Sequence, residues 1–224
     1  MNWGSLEVHR RQERNRALRI SLGLFAGFLI VTEQVLTKSY LYRLDHRMKA
    51  IKHHTFKGLP SHVLLALDDL GLRSVTATCL LVTAVIIGYR FKSWRPINLS
   101  IAALLLLNGV VGISKLLFGR TKPRLQLDLL HDGGLSYPSG HAANALLTWG
   151  MLSYLIYRYS QKAPFKGLRL DWLVGLITTL VCVVSLIRNT HWFSDLLGGV
   201  LLGGSILVFL IAADRAWPSD RQPT

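Results

Sequence analysis

Residues 97–118 read INLSIAALLLLNGVVGISKLLF, an unbroken apolar stretch holding a single charge, Lys115. A helix needs about 20 mostly apolar residues to cross the hydrocarbon of a bilayer, so this stretch reads as a membrane span. Polarity changes abruptly at its end, where residues 119–124 read GRTKPR. Working outward, five more apolar windows occur, at residues 18–36, 75–89, 141–159, 172–187 and 196–213. Those at 75–89 and 172–187 are short, so their helices are expected to run on into flanking polar residues. The expectation is an all-α polytopic membrane protein, with one membrane-embedded domain over residues 1–224 built as a six-transmembrane-helix bundle.

Composition agrees. Half of the 224 residues are hydrophobic and the mean hydropathy is +0.34, yet a charged fraction of only 17% gives a net charge of +14. Those values fit together if cations are confined to short loops between spans. A soluble nucleic-acid binder would spread Lys and Arg along polar faces, so the bilayer, and no nucleic acid, is the expected partner. Cys79 and Cys182 fall inside apolar runs and read as small packing residues; no Cys/His zinc array is present. The first span is too long for a signal-peptide core and no small-residue cleavage site follows it, so it reads as retained. In the long segment 37–71, Leu41, Leu44, Met48 and Ile51 recur at helical spacing with Lys and Arg between them. That pattern predicts an amphipathic helix resting at the headgroup level.

Orientation follows the cations. With residues 1–17 inside, the inner segments hold Arg10, Arg11, Arg14, Arg16, Arg19, Arg90, Lys92, Arg95, Arg158, Lys162, Lys166, Arg169, Arg215 and Arg221. The division is nearly even until five outer cations that belong to polar motifs (Lys115, Arg120, Lys122, Arg124 and Arg188) are set aside. The remainder favours a cytoplasmic 1–17 tail and a cytoplasmic 214–224 tail in a cell-membrane protein. In the last span, Gly199 and Gly203 form a small-xxx-small pair, a packing feature.

Three polar segments, within residues 115–199, then share the extracytoplasmic side. The first runs from Lys115 through Lys122 to Arg124, the second is Tyr137-Pro138-Ser139-Gly140-His141, and the third runs from Arg188 through His191 to Asp195. Each alone has a plain reading: a headgroup-binding loop, a helix start capped by Ser139, and a surface His–Asp pair one turn apart. Together they form an inventory for phosphoryl transfer through a covalent histidine. That chemistry needs a neutral imidazole nucleophile, a carboxylate to hold its tautomer, a proton donor and fixed charge for the transferring group. The four-residue step from His191 to Asp195 suits the first two, and His141 is available as general acid. Ser139 and the amides of Gly140 and His141 open a helix, where an anion is favoured, and Lys115, Lys122 and Arg188 supply cations. The remaining outer acids, Asp45, Asp68, Asp69, Asp128 and Asp132, form no two-metal pattern, so neither metal nor cofactor is expected.

In this order, the three segments resemble the type-2 phosphatidic acid phosphatase family, which shares its site with vanadium haloperoxidases and glucose-6-phosphatases. The pattern is Lys-x6-Arg-Pro, then Pro-Ser-Gly-His, then Ser-Arg-x5-His-x3-Asp. The resemblance implies His191 as phosphorylated nucleophile, Asp195 as its orienting partner and His141 as leaving-group acid. Ser139, Gly140 and Lys115 would be phosphate ligands. It further implies metal-independent dephosphorylation of a lipid phosphate or isoprenyl diphosphate at the outer face, with phosphatidic acid, phosphatidylglycerophosphate and polyprenyl diphosphate as candidate substrates. A non-catalytic binder of anionic lipids and a lipid phosphotransferase are the alternatives on the same fold.

The chain departs from the pattern twice. Lys122 stands at the first arginine, and Val184-Ser185 stand where the pattern has Ser-Arg. Lysine keeps the charge but not the bidentate fork. A charged hydrogen bond contributes about 1.5–3 kcal/mol, so one such loss equals roughly ten- to a hundredfold in rate. Arg188 lies three residues beyond Ser185, within about 60° of the same helical face, and is the expected substitute. Arg120 and Arg124 are candidates for the other gap.

Overall fold

The computed structural model describes residues 3–55, 61–125, 128–159 and 170–216, with side chains of the first two helices described over 11–49. The described residues form eight α-helices and no strand: α1 (Trp3–Leu36), α2 (Tyr40–Thr55), α3 (Ser61–Asp69), α4 (Arg73–Arg90), α5 (Arg95–Phe118), α6 (Gly140–Tyr159), α7 (Leu170–Ile187) and α8 (Phe193–Ala216). Most of the expected 1–17 tail is the start of α1. The short windows do lengthen at their ends into α4 and α7.

Five helices are long and apolar enough to cross a membrane, those in α1, α4, α5, α7 and α8. The outward-facing side chains, among them Leu22, Ile30, Val82, Ile86, Leu105, Leu116 and Leu176, are apolar, as a lipid-facing surface requires. The expected fourth span, α6, is absent from that set because it carries His141, Asn144 and Thr148. Its neighbours explain why it can: α4, α5, α7 and α8 all pack on it, and Asn144, Leu147, Thr148, Met151 and Leu155 are buried. Polar side chains within a membrane bundle face its interior and not the lipid.

The core joins Leu80 and Ala84 of α4, Ala103, Leu107 and Val111 of α5, Ala143, Leu147 and Met151 of α6, and Leu202 of α8. Helix α8 approaches α6 backbone to backbone. A Cβ on Gly203 would stand 2.7 Å from the Ala143 carbonyl oxygen, and one on Gly199 would fall on that of Ser139. The pair read as plain packing residues therefore seats α8 on the turn that opens α6. Helix α1 lies along α8, with Ser21 Oγ donating to the Ser205 carbonyl at 2.9 Å.

The two ends of the bundle differ. At one, Asp214 gathers Arg95 (2.5 Å), Tyr154 (2.6 Å) and Arg158 (3.3 Å). At the other lie the connections 37–39, 70–72, 119–139 and 188–192, with α2 and α3. The long first connection thus holds two helices where one was expected. On α2, Leu41, Leu44 and Met48 are half-buried, but the fully buried residue is Asp45; the side chain of Ile51 lies outside the described residues. An apolar face accounts for only part of how α2 is held.

Candidate active site

His191 does not stand on a helix with Asp195, as the four-residue spacing suggested. It sits in the turn between α7 and α8, and Asp195 lies in the first turn of α8. There Asp195 Oδ2 accepts from the backbone N–H of Trp192 at 3.0 Å, the reach-back of a capping box, and an acid in a first turn also suits the helix dipole. The contact with His191 forms all the same, at 3.4 Å from Nδ1 to Oδ2. Ser136 Oγ donates to the same Asp195 oxygen and stands 3.5 Å from His191 Nδ1. With Nδ1 turned to the carboxylate, Nε2 is left for other chemistry.

Behind this pair lies a charged cluster that no sequence motif announced. Arg120 is fully buried, and its N–H groups make five hydrogen bonds. Nη1 donates to Asp195 Oδ1 (2.9 Å) and Ser194 Oγ (2.7 Å). Nη2 donates to Asp45 Oδ2 (2.9 Å) and Asp128 Oδ2 (2.7 Å), and Nε to Asp128 Oδ1 (2.9 Å). The indole of Trp192 lies 5.1 Å from the guanidinium carbon, and Trp192 Nε1 donates to the Thr121 carbonyl at 3.0 Å. Arg120 is therefore no spare phosphate ligand: every donor of its fork is taken. Arg124, the other candidate, is exposed.

Asp45 and Asp128 are not the unengaged outer acids they resembled. Asp45 also accepts from Ser194 N at 2.9 Å and Ser194 Oγ at 2.5 Å. Burial pushes its carboxyl above the ordinary carboxylate range, against the pull of Arg120 and Ser194. Asp45, Asp128 and Asp195 do converge, but on a guanidinium.

The second segment meets the third through the backbone. Ser139 N donates to the Asp195 carbonyl at 2.9 Å, and Ser139 Oγ accepts from Ala142 N at 3.3 Å, the cap read from the sequence. His141 follows in the first turn of α6, its ring centroid 6.1 Å from that of His191. Lys115, in the last turn of α5, sets its ammonium beside Gly140, 3.6 Å from where a Cβ would stand. His141 lies within electrostatic reach of His191, Lys115, Lys122 and Asp68, so cations from the first segment lie near the His141 imidazole.

Arg188 enters differently from expectation. Its Nη1 donates to Asp68, at the end of α3, while Ser185 Oγ donates to the other oxygen of that carboxylate at 3.1 Å. The turn after Asp68 packs on His141: a Cβ on Gly71 would stand 2.9 Å from the His141 carbonyl oxygen. Trp149 Nε1 holds that turn at the Leu70 carbonyl, at 2.9 Å. All eight predicted site residues thus lie at one end of the bundle. Asp45, Asp68, Asp128, Ser136 and Ser194 were not among the expected site residues, and Arg120 was expected as a phosphate ligand and not as the centre of a carboxylate cluster. The available signal was that a buried charge must be paired, but nothing local says which loop acids become buried.

A model described as the PAP2 superfamily matches residues 96–218. Phosphatidylglycerophosphatase B of Bacillus subtilis (strain 168) is 31% identical over 86 residues, covering 37% of this chain and 40% of that protein. Lipid A 1-phosphatase of Porphyromonas gingivalis is 32% identical over 145 residues, covering 61% of this chain and 28% of that protein. The chain thus spans less than half the length of these curated relatives. The crystal structure of a transmembrane PAP2 type phosphatidylglycerolphosphate phosphatase from Bacillus subtilis superposes with a TM-score of 0.73 over 90% of this chain and 98% of that one, at 20% identity. At that identity the likeness is one of fold.

Proposed function

The chain belongs to the PAP2 superfamily, and from that premise we propose that it is a metal-independent phosphatase of membrane lipids, acting on a lipid phosphate monoester or an isoprenyl diphosphate. The observation that carries this reading is the pair of imidazoles, 6.1 Å apart by ring centroid, with Asp195 behind His191 and Lys115 beside Gly140. Phosphatase names on both curated relatives support the reaction class.

His191 Nε2 attacks phosphorus, forming the N–P bond as the P–O bond to the leaving group breaks, and His141 delivers its proton to the departing oxygen. Asp195 holds the Nδ1 proton and stabilises the charged phosphoimidazole. Water, deprotonated by His141, then attacks phosphorus and releases inorganic phosphate. Ser139 and the amides of Gly140 and His141 donate to the phosphoryl oxygens, and Lys115, Lys122 and Arg188 balance their charge. Lys122 presents a point charge where a guanidinium fork would fix two oxygens.

Six spans, α1, α4, α5, α6, α7 and α8, with both termini cytoplasmic, set this site on the extracytoplasmic side. There α2 lies at the headgroup level, within reach of a lipid phosphate. The cation distribution supports that orientation.

Purified protein assayed on a panel of lipid phosphates tests the reading. Phosphate release should survive EDTA, be inhibited by vanadate and vanish in His191→Ala. Release no greater than that of the His191→Ala protein on every substrate would overturn it in favour of an anionic-lipid binder, a reading that the engagement of Arg188 by Asp68 favours. Transfer of label to a second lipid would instead reveal a phosphotransferase.

A further inference from the structure

We propose that Arg120 and Asp45 are positioning residues of this site: α2, seated on the end of α8 through Asp45, locks the guanidinium that holds Asp195 in register with His191. The inference rests on the phosphohistidine reading above and assigns a role to the first connection, which no sequence motif marks.

Asp195 is the residue whose orientation decides how His191 is held. Its Oδ2 serves Trp192 N, Ser136 Oγ and His191 Nδ1, and of these the imidazole contact is the longest at 3.4 Å. The rotamer that points Oδ2 at His191 is therefore set by the other partners and by whatever holds Oδ1. Oδ1 is held by Arg120 Nη1 at 2.9 Å, with neither side chain reached by solvent. A planar fork with its remaining donors fixed cannot follow a rotating carboxylate, so it keeps Asp195 in one orientation.

Apart from Ser194 Oγ on α8, what fixes the fork comes from outside the helices that carry the motifs. Asp128, from the connection before α6, takes Nε and Nη2, and Asp45, from α2, takes Nη2. Asp45 also accepts both donors of Ser194, the residue before Asp195. It thus caps the start of α8 and anchors Arg120 with one carboxylate. The chain of contacts runs from α2 through Asp45 and Arg120 to Asp195 and then His191, buried up to the imidazole.

The cluster could instead be a fold staple and nothing more. The two roles separate kinetically. Breaking a staple lowers the amount of folded protein and leaves turnover per folded molecule unchanged. Removing a positioning residue lowers kcat with KM little changed, and only while Asp195 is there to be positioned.

The experiment is a double-mutant cycle, Asp45→Asn with Asp195→Asn, on dioctanoyl phosphatidic acid in detergent. Arg120→Lys serves as a second way into the same cycle. Asn is nearly isosteric with Asp45 and removes one of three carboxylates around one guanidinium, so the variant is expected to fold. Active-protein concentration is set by the folded fraction on gel filtration. Asp45→Asn should lower kcat about tenfold or more, the equivalent of one charged hydrogen bond, with KM within about twofold. In the Asp195→Asn background the same change should cost less than about twofold. An equal loss in both backgrounds, a change in KM alone, or no change overturns the proposal while leaving the phosphatase reading intact.

If the unmodified protein turns over no substrate, the phosphatase reading fails. The cycle is then read from orthovanadate protection against heat, since vanadate also needs an oriented imidazole. Protection weakened by Asp45→Asn only when Asp195 is present supports the positioning chain, and additive loss overturns it.

Discussion

Replacing Gly199 by alanine adds one methyl group at the closest approach of α8 to the turn that opens α6. That methyl would meet the Ser139 carbonyl oxygen well inside 3.0 Å, a separation real Cβ atoms essentially never show, and Ala142 Cβ at 3.2 Å. The obstacle is backbone, so no side chain can swing aside and the helices must part. Overpacking of this kind costs about 1–3 kcal/mol, and the backbone obstacle puts it in the upper half of that range. The gain in helix propensity from Gly to Ala offsets about 1 kcal/mol. The expected net loss is about 1–2 kcal/mol, or roughly 2–8 °C in the melting temperature of a chain this size.

The effect on activity should be larger than that on folding. Parting α8 from Ser139 strains the 2.9 Å bond from Ser139 N to the Asp195 carbonyl, which ties the anion-binding turn to the residue behind the nucleophile. A misplacement of about an ångström costs around a hundredfold in rate, so a ten- to hundredfold fall in kcat/KM is expected. Gly175→Ala in α7 is the control, because nothing lies within 4 Å of a Cβ there. Melting in detergent and phosphate release, measured on both variants, decide the matter. If Gly199→Ala melts and turns over like Gly175→Ala, the close approach is not what seats the site.

Further outcomes follow from the same geometry. Followed as leaving-group release in the first turnover, before water attacks, His141→Ala should slow reaction of a lipid phosphate by about a hundredfold or more, and much less that of p-nitrophenyl phosphate, whose leaving group needs no proton; equal losses in that first step would remove His141 as the acid. Lys122→Ala should lower kcat/KM about ten- to a hundredfold, whereas Arg124→Ala, at an exposed position, should stay within about twofold. Arg188→Ala should also be costly, partly because it leaves the buried Asp68 unpaired. Adding Asp68→Asn should then restore about half of the loss on a logarithmic scale, and simple additivity in kcat/KM would show that the pair does not act as a unit.

The membrane character and five of the spans were legible because each is local, and so were the motifs from which the eight candidate site residues are drawn. An apolar window declares a lipid-facing helix, and His, Ser, Gly and Lys in fixed spacings declare the chemistry they can do. The placement of α6 was legible as an apolar window, yet its enclosure was not, since a helix with polar residues on one face reads alike whether protein or lipid surrounds it. The same limit explains Arg120. It stands two residues from Lys122 in a basic run, and nothing in that run says which guanidinium will be buried among carboxylates from α2, from α8 and from farther along its own connection. Arg188 was expected to face phosphate, and its bond to Asp68 depends on α3 folding back across the end of α7.

The sequence by itself determined the helical membrane class, the order of the three polar segments and the candidates for the reacting groups, because hydropathy, spacing and side-chain chemistry are properties of single residues and their near neighbours. Only the tertiary structure decided which acids are partners and which are solvated. Asp45 reaches Arg120 across 75 positions and Asp68 reaches Arg188 across 120. Such pairings exist only once burial has removed water as the competing partner, and burial is a property of the assembled bundle.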